Sequence, residues 1–199
     1  MKEREITIAT SNAGKLREMR EMLEGTGFEV FSMKDRGLEL DIEETGETFA
    51  ENAYIKAKAV WDLTGGIALA DDSGMCVDAL DGRPGVYSAR FLGEDTAFAE
   101  KNRKILEMLE GVPEEKRGAK FVCAMVAILP DGSRIEVQGE VCGRIAREMR
   151  GDGGFGYDPI FFCEEKGCTF AELKEEEKNS ISHRGSAVRQ MVAKLRALV

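Results

Sequence analysis

The stretch IATSNAGKLREM, residues 8–19, decides the fold class. An apolar, β-branched start runs into a polar turn, and a helical pattern with Leu16 and Met19 on one face begins at Gly14. The turn consists of six residues, Thr10, Ser11, Asn12, Ala13, Gly14 and Lys15. A strand that passes directly into a helix is typical of α/β proteins, so we expect a sheet flanked by helices.

The rest of the chain predicts further elements of both kinds. FEVFSM reads as a second strand, and GGIALAD reads as a buried strand that ends on acidic residues. Thr48 and Glu51 form a capping-box pattern ahead of a helix with apolar residues at a 3.6-residue period. A later helix is expected to begin at Asp95 as its N-cap, and the last helix at about Ser182.

A long hairpin completes the prediction. Two β-rich runs, AKFVCAMVAIL and SRIEVQGEV, flank Pro130-Asp131-Gly132, a tripeptide typical of a turn. The expected fold is therefore α/β, with a mixed central sheet, a long antiparallel hairpin and flanking helices. No Pro-, Gly- or Ser-rich linker divides the chain, so residues 1–199 are expected to form one domain.

Composition limits the classes of partner. The 199 residues are 43% hydrophobic and carry 28 basic and 37 acidic side chains, a formal charge of −9. Such an acidic surface disfavours nucleic acid and anionic membranes as partners. The N-terminal sequence is too charged for a signal peptide, and no stretch is apolar enough to span a membrane, so we expect a cytoplasmic protein.

The cysteines indicate neither a zinc site nor a disulfide framework. The five cysteines contain no C-x-x-C pair, and the chain has a single histidine. We expect buried, reduced thiols, as is usual in a reducing cytosol.

The turn at residues 10–15 is a candidate phosphate site. A strand-to-helix turn leaves backbone N–H groups at the positive end of the helix dipole, and Lys15 adds a cation. Thr10 and Asn12 could add hydrogen bonds. The alternative is an ordinary capped turn, because Ser, Asn and Gly are common turn residues. The G-x-x-x-x-G-K-[ST] spacing of a P-loop is absent.

Two acidic pairs are candidate metal ligands. Glu43 and Glu44 precede the capped helix, where carboxylates could simply favour the helix dipole. Asp71 and Asp72 follow an apolar strand, and two adjacent acids repel each other unless cations or donors compensate. Mg²⁺ takes one or two carboxylates and bridges to substrate phosphates, which suits these residues. A pair of Asx turns at the strand exit is the alternative.

Two further stretches carry polar or aromatic residues among glycines or at a helix start. GDGGFGYDPIFF surrounds Phe155 with glycines, which is typical either of close approach to a ligand or of a flexible hairpin tip. EEEKNSISHRGSA places Lys178, His183 and Arg184 near the start of the last helix, where a binding site or a solvated charged face is possible.

Together these motifs resemble one family. TSNAGK, EETGETFAENAYIKA, ADDSGMCVDALDGRPGVYSARF, GGFGYDPIFF and KNSISHRGSA occur in family order, and the chain is similar to the Ham1-like inosine/xanthosine triphosphate pyrophosphatases. The resemblance implies Mg²⁺-dependent hydrolysis of deaminated purine nucleoside triphosphates (ITP, dITP and XTP) to the monophosphate and pyrophosphate. It also implies a homodimer of subunits with two lobes around an active-site cleft.

The resemblance also implies roles for individual residues. Asp72 would accept a proton, and Glu43 and Asp72 would bind the metal; Glu44 could share this role, because the motif alone does not separate the two neighbours. The role of Arg90 does not transfer. The substrate-binding residues implied are Thr10, Ser11, Asn12, Ala13, Gly14, Lys15, Lys56, Ser73, Phe155, Gly156, Tyr157, Asp158, Lys178, His183 and Arg184. Phe155 would stack on the purine, and Lys178 and Arg184 would face its 6-oxo group.

Two other functions compete with this interpretation. One is a pyrophosphatase for modified pyrimidine or methylated nucleotides, as in the Maf-like relatives, against which SHRGSA together with FGYD argues. The other is a non-catalytic nucleotide sensor, against which the presence of both Glu43 and Asp72 argues, because a sensor does not need a metal site that activates water.

Overall fold

A seven-stranded sheet dominates the computed structural model, which describes residues 4–198. The spatial order of the strands is β2-β1-β3-β4-β5-β6-β7. Their bounds are β1 Glu5–Ile8, β2 Glu29–Ser32, β3 Ile67–Val77, β4 Gly118–Ile128, β5 Arg134–Ile145, β6 Phe161–Cys163 and β7 Cys168–Thr169.

The sheet is mixed, as predicted. Strand β1 pairs in parallel with both β2 and β3, with Ile8 opposite Ser32 and Leu69. Strands β5, β6 and β7 pair antiparallel. The predicted hairpin joins β4 and β5 through a turn in which the N–H of Leu129 donates to the carbonyl of Ser133 over 2.9 Å.

Five α-helices accompany the sheet within residues 4–198. They are α1 Ala13–Leu23, α2 Phe49–Thr64, α3 Phe98–Met108, α4 Glu175–Ile181 and α5 His183–Arg196. Helix α2 begins where the capping box predicts, since Thr48 Oγ1 accepts from the N–H of Glu51 and the Glu51 carboxylate accepts from the N–H of Thr48. It ends at Gly65, whose positive φ of 61° favours glycine.

The chain forms two compact units; three of the boundaries between them fall inside strands β3, β4 and β5, and the fourth falls between α4 and α5. The first unit comprises the chain up to Asp72, Cys123–Gly139 and the chain from His183 onward. The second comprises Ser73–Val122 and Glu140–Ser182. The single domain expected from the sequence stays a prediction.

The first unit has a core on each face of its strands. Alternate residues of β3 point to opposite faces, so Ile67 and Leu69 pack in one cluster while Ala68 and Ala70 pack in another. The first cluster receives apolar side chains of α1 and α5, and the second those of α2. The buried helix residues are Met19, Leu23, Ala187, Val188, Met191, Val192 and Leu195 in the first cluster, and Ala53, Ala57 and Val60 in the second.

The second unit has its own apolar cluster. Helix α3 contributes Ile105, and three phenylalanines pack ring against ring with centroids 4.5–5.9 Å apart. These rings are Phe121, Phe161 and Phe170. The cluster lies beside the segment that carries the GDGGFGYDPIFF motif, because Tyr157, Ile160 and Phe161 belong to it.

Three local predictions were wrong. Strand β3 does not end at the acids but continues to Val77, because both carboxylates are compensated by neighbouring cations and donors. Asp95 does not cap α3, whose N-cap is Ala97; a turn in which the N–H of Thr96 donates to the carbonyl of Gly93 precedes it. Lys178 does not lie at the start of the last helix but on α4, which ends before Ser182; the last helix itself, α5, begins at His183, as the prediction of about Ser182 requires.

The cysteines differ in their exposure to solvent. Cys123 and Cys163 are buried as expected, but Cys142 is exposed on β5.

Within residues 4–198, no helix combines the length and the apolar character that a bilayer crossing requires.

Candidate active site

The two consecutive acids of β3 lie in different environments. Neighbouring residues of a strand point to opposite faces of the sheet. Asp71 accordingly contacts side chains from α1 and α5, while Asp72 contacts side chains from α2. Both carboxylates are buried, at 0% and 5% exposure. The two carboxylates therefore have different contact partners, although the charges of Lys15 and Lys56 act on both of them.

Asp71 belongs to a buried network of alternating charges. Its Oδ2 lies 3.1 Å from Lys15 Nζ and 3.2 Å from Arg184 Nη2. Nη1 of Arg184 lies 2.6 Å from Oε2 of Glu18, and both of those side chains are 2% exposed. Burial acts to raise the pKa of Asp71, but the charges of Lys15 and Arg184 outweigh it and hold the pKa well below its usual range. Two acids and two bases thus balance each other in this network.

The turn at residues 10–15 has the geometry of a capped helix start. Asn12 is the N-cap of α1, and its Oδ1 accepts from the N–H of Lys15 over 3.1 Å. The N–H of Asn12 in turn donates to Thr10 Oγ1 over 3.2 Å. Ser11, Asn12 and Ala13 are exposed, so the capped turn also presents the positive end of the α1 dipole to solvent. The capped turn and the phosphate site are therefore compatible interpretations.

Asp72 faces Lys56 and Asn52 of α2. Its Oδ1 lies 3.6 Å from Lys56 Nζ, and its Oδ2 accepts from Asn52 Nδ2 over 3.2 Å. Lys56 Nζ also lies 2.6 Å from Oε1 of Glu44, so one ammonium group serves carboxylates from two segments. Burial raises the pKa of Asp72 above its ordinary value against the opposing charge of Lys56.

The structure distinguishes the two glutamates, of which the family resemblance favoured Glu43 as the metal ligand. Glu44 is half-buried and paired with Lys56, whereas Glu43 is exposed. Burial would lower the pKa of Lys56, but the carboxylates of Asp72, Asp71 and Glu44 raise it above its ordinary value. Lys56 is therefore a charged group, and it brings Glu44, rather than Glu43, close to Asp72.

Asn52 connects the glutamate segment to Asp72. Its Oδ1 accepts from the N–H of Gly46 over 2.8 Å, while its Nδ2 donates to Asp72. The amide is fully buried, at 0% exposure. A Cβ on Gly46 would lie 2.7 Å from Asn52 Oδ1, so glycine is needed for this close approach. The sequence analysis missed Asn52, although an Asn four residues before Lys56 places two polar side chains on one face of α2.

The groups around Asp72 fit a divalent cation bound with substrate. Seven charged groups meet at β3, four acidic (Glu18, Glu44, Asp71 and Asp72) and three basic (Lys15, Lys56 and Arg184). The excess negative charge lies at Glu44 and Asp72, because the network of Asp71 is balanced. No cluster of three or more metal-binding side chains occurs in residues 4–198. Two carboxylates suffice for Mg²⁺, which keeps waters and takes further oxygens from phosphates.

The FGYD segment of the second unit is organised by Asp158. Its Oδ2 accepts from the N–H of Phe155 over 2.8 Å and lies 2.6 Å from Lys178 Nζ. Asp158 and Lys178 are both 3% exposed. The same ammonium group lies 4.6 Å from the centroid of the Phe155 ring, while Phe155 itself is half-exposed. The predicted pocket residues Phe155, Asp158 and Lys178 therefore form one contact cluster.

Tyr157 is fixed from the other side of this segment. Its hydroxyl donates to the carbonyl of Ser88 over 2.8 Å, and burial raises the pKa of the phenol, which keeps it protonated. The Ser88 hydroxyl accepts from the N–H of Met75 over 2.9 Å. Ser73, two residues earlier on β3, is half-buried.

The final two site residues differ from their sequence-based description. His183 and Arg184 are buried at 4% and 2% exposure, so neither lies on a solvated face, and Lys178 is on α4 rather than on the last helix. Arg184 directs three nitrogens to Asp71 and Glu18, and Glu18 was missed by the sequence analysis. The predicted contact of Arg184 with a base stays a prediction, and this geometry does not favour it.

Comparison with known proteins places the chain among α/β proteins of this architecture. The Ham1 family profile matches residues 6–194. A dITP/XTP pyrophosphatase of Bacillus licheniformis is 49% identical over 192 residues, which cover 96% of this chain and 98% of the relative. The structure of a HAM1 protein from Coxiella burnetii is similar with a TM-score of 0.87 and 42% identity, covering 97% of this chain and 98% of that one.

A second solved structure agrees with the first. The Ham1 protein of Staphylococcus aureus is similar with a TM-score of 0.86 and 37% identity, over 98% of this chain and all of that one. The fold and the paired acidic and basic networks on β3 thus define an α/β protein with a buried charged centre. The chain belongs to the Ham1 family.

Proposed function

We propose that this protein hydrolyses deaminated purine nucleoside triphosphates (ITP, dITP and XTP) to the nucleoside monophosphate and pyrophosphate. Membership of the Ham1 family supports the proposal, as does the name of the Bacillus licheniformis relative, a dITP/XTP pyrophosphatase. Such an activity would remove these nucleotides before they are incorporated into DNA and RNA.

The single observation that carries the proposal is the sharing of Lys56 between Glu44 and Asp72. The ammonium group lies within 3.6 Å of a carboxylate oxygen of each residue. Carboxylates from two segments, held around one cation with excess negative charge, are what a divalent ion and a polyphosphate require. A purely structural ion pair would need only one of the two acids.

We propose Asp72 and Glu44 as the residues that hold Mg²⁺, with Glu43 as the alternative implied by the family motif. When bound, Mg²⁺ neutralises charge on the phosphate oxygens and lowers the pKa of a coordinated water. Lys56 would bind a phosphate oxygen once the ion shares its two carboxylates. Asn52 would hold Asp72 and the segment at Gly46 at a fixed distance from each other, because its amide bonds to both.

Asp72 is the proposed proton acceptor of the reaction. The oxygen of a water forms a bond with the α-phosphorus, the water's proton passes to Asp72 Oδ1, and the bond from the α-phosphorus to the bridging oxygen breaks. Pyrophosphate leaves with that electron pair. The N-terminal turn of α1, with Thr10, Asn12 and Lys15, is proposed to bind the pyrophosphate oxygens through N–H groups and the helix dipole.

The base is proposed to be recognised by the residues around Phe155. Its half-exposed ring offers a stacking face, and the buried ion pair of Lys178 and Asp158 is in contact with it. A donor such as Lys178 facing the 6-oxo group would leave the adenine 6-amino group opposed by another donor, at a cost of roughly 1–3 kcal/mol. We assign Arg184 to holding Asp71 rather than to the base, because its Nε and Nη2 donate to Asp71 and its Nη1 donates to Glu18.

The test is a turnover panel with ITP, dITP, XTP, GTP and ATP in Mg²⁺, run in ¹⁸O-labelled water. We expect pyrophosphate release from the first three substrates, with the label in the monophosphate. Label in pyrophosphate would place the attack at the β-phosphorus, and release of orthophosphate would contradict the proposed bond cleavage. Omission of Mg²⁺ with a chelator present is expected to stop turnover, and full activity without it would contradict the metal proposal.

The panel also separates the competing functions. Preferential cleavage of modified pyrimidine or methylated nucleotides would favour the activity of the Maf-like relatives. Tight binding without turnover would favour a sensor. We further propose that the protein is cytoplasmic and forms a homodimer; sedimentation of the purified chain at about 22 kDa instead of twice its 21.9 kDa mass would contradict the dimer.

A further inference from the structure

We infer that Asn102 is a positioning residue that fixes the turn at residues 155–158 for base binding. The inference rests on the proposed function, because it takes Phe155 as the residue that stacks on the purine. Asn102 lies on α3, and the family motifs quoted above do not include it.

The contact is a buried hydrogen bond between a side chain and the turn. Asn102 Nδ2 donates to the carbonyl oxygen of Gly156 over 3.0 Å, and Asn102 is 2% exposed. A carbonyl can only accept, so the orientation of the amide is fixed by its partner. The hydrogen bond holds the peptide that follows Gly156 against α3. Gly156 itself has a φ of +68°, a conformation that few other residues adopt.

The other end of the amide shows that packing does not explain this asparagine. Asn102 Oδ1 has no hydrogen-bond partner within the described part of the chain, residues 4–198. A buried acceptor without a partner lowers stability, whereas a leucine of similar volume would not carry that penalty. The amide therefore acts through its Nδ2 group, which donates a hydrogen bond to the Gly156 carbonyl.

Helix α3 holds the same turn at a neighbouring point. The ring of Phe98 packs edge-on against Tyr157 with centroids 5.3 Å apart, and Tyr157 is anchored to Ser88. Lys101 donates to the carbonyl of Ala89, one residue further on. The turn is thus bound to α3 at Gly156 and Tyr157, and by Asp158 at Phe155. Loss of the Asn102 bond frees the peptide between Gly156 and Tyr157, one residue from Phe155, while the other contacts remain.

The test is Asn102→Leu in the full-length protein, measured against ITP and against inorganic tripolyphosphate, which lacks a base. We expect KM for ITP to rise about fivefold, the equivalent of one hydrogen bond, with kcat changed less than twofold. The inhibition constant of tripolyphosphate should stay the same. The melting temperature should change little, since removal of the unsatisfied Oδ1 offsets the loss of the hydrogen bond to the Gly156 carbonyl.

Two further variants provide controls. Lys104→Ala removes an exposed ion pair with Glu107 on the same helix and is expected to change neither constant. In a Phe155→Ala background, Asn102→Leu should have little further effect on KM, because the residue acts through Phe155. Equal fold-changes of Asn102→Leu in both backgrounds would show that it does not act through Phe155.

The outcomes separate this inference from the proposed function. An active wild type with an Asn102→Leu variant of unchanged KM overturns the inference alone. A variant with a lower melting temperature and equally weakened tripolyphosphate binding also overturns it, since a general structural role would then suffice. A wild type that releases no pyrophosphate from any purine nucleotide contradicts the proposed function, and the inference falls with it.

Discussion

Asn52 donates a hydrogen bond to Asp72 Oδ2 over 3.2 Å from a side chain with no exposed surface. The other end of the same amide accepts from the N–H of Gly46. A residue that is not itself a proposed phosphate ligand therefore links the strand that carries Asp72 to the segment that carries Glu44. This relationship leads to the first prediction.

Asn52→Leu is expected to lower kcat/KM about tenfold or more, because a hydrogen bond to a charged group contributes about 1.5–3 kcal/mol. The apparent Mg²⁺ requirement should rise at the same time, as measured by activity and by calorimetric titration with the metal. Lys58→Ala, which removes an exposed ion pair with Asp62 on the same helix, is the matched control. Unchanged metal binding in Asn52→Leu would contradict the positioning role.

The neighbouring acids of β3 should respond differently to the same substitution. Asp72→Asn is expected to abolish turnover but retain nucleotide binding. Burial raises the pKa of Asp72 in the folded protein, so the ionised carboxylate is less stable there than in the unfolded chain. Replacing it with the neutral amide should therefore not lower the free energy of unfolding. Steady-state kinetics and urea denaturation measure the two effects.

Asp71→Asn should instead destabilise the protein. Lys15 and Arg184 would keep their charges in a buried network without their shared partner, and breaking a buried pair in this way costs about 3–5 kcal/mol. Urea denaturation measures the loss. If Asp71→Asn unfolds like the wild type, the balanced network described here does not contribute to stability.

The buried pair of Asp158 and Lys178 allows a double-mutant cycle. Asp158→Asn leaves the Lys178 ammonium group buried without its charge partner and should cost about 3 kcal/mol in the free energy of unfolding. Asp158→Asn combined with Lys178→Met should cost less than the sum of the single substitutions, because no unpaired charge remains. Additive effects would mean that the pair is not coupled.

Thiol reactivity should distinguish the cysteines by their surroundings. Cys142 is exposed, whereas burial, reinforced by the charge of Asp71, raises the pKa of Cys123 far above the usual thiol value. At pH 8 iodoacetamide should therefore modify Cys142 in the native protein and Cys123 only after denaturation, as read by mass spectrometry. Cys142→Ser should remove the fast phase. Rapid labelling of native Cys123 would contradict its buried, protonated state.

Local signals predicted local structure well. The capping box at Thr48 and Glu51 and the turn at Pro130-Asp131-Gly132 depend on residues a few positions apart, and both occur where the pattern places them. The end of β3 was mispredicted because two adjacent acids look like a strand exit. Only the cations brought to them by distant segments, Lys15 and Arg184 among them, allow the strand to continue.

The candidate site was predicted in its residue types but not in its pairing. The sequence identified both Asp71 and Asp72, yet nothing local to them states which acid faces α1 and which faces α2. The choice of Glu44 near Lys56 likewise depends on how the loop before α2 returns to the sheet. Asn52 and Glu18 were missed because a single polar residue on a helix has many ordinary explanations.

The alternation of side chains along β3 makes chain length between Ile67 and Ala70 as important as residue identity. Deleting one alanine there would turn the second carboxylate toward Lys15 and Arg184, and a non-acidic residue toward Lys56. The second acid would thus take the surroundings of the first, and the first would enter the apolar cluster that Ala70 now occupies, without either being substituted. Whether a residue stands at an odd or an even position along β3 decides which face of the sheet its side chain points to, and substitutions do not change this. The position along the strand therefore separates Asp71, which is expected to stabilise the fold, from Asp72, which is proposed to accept a proton.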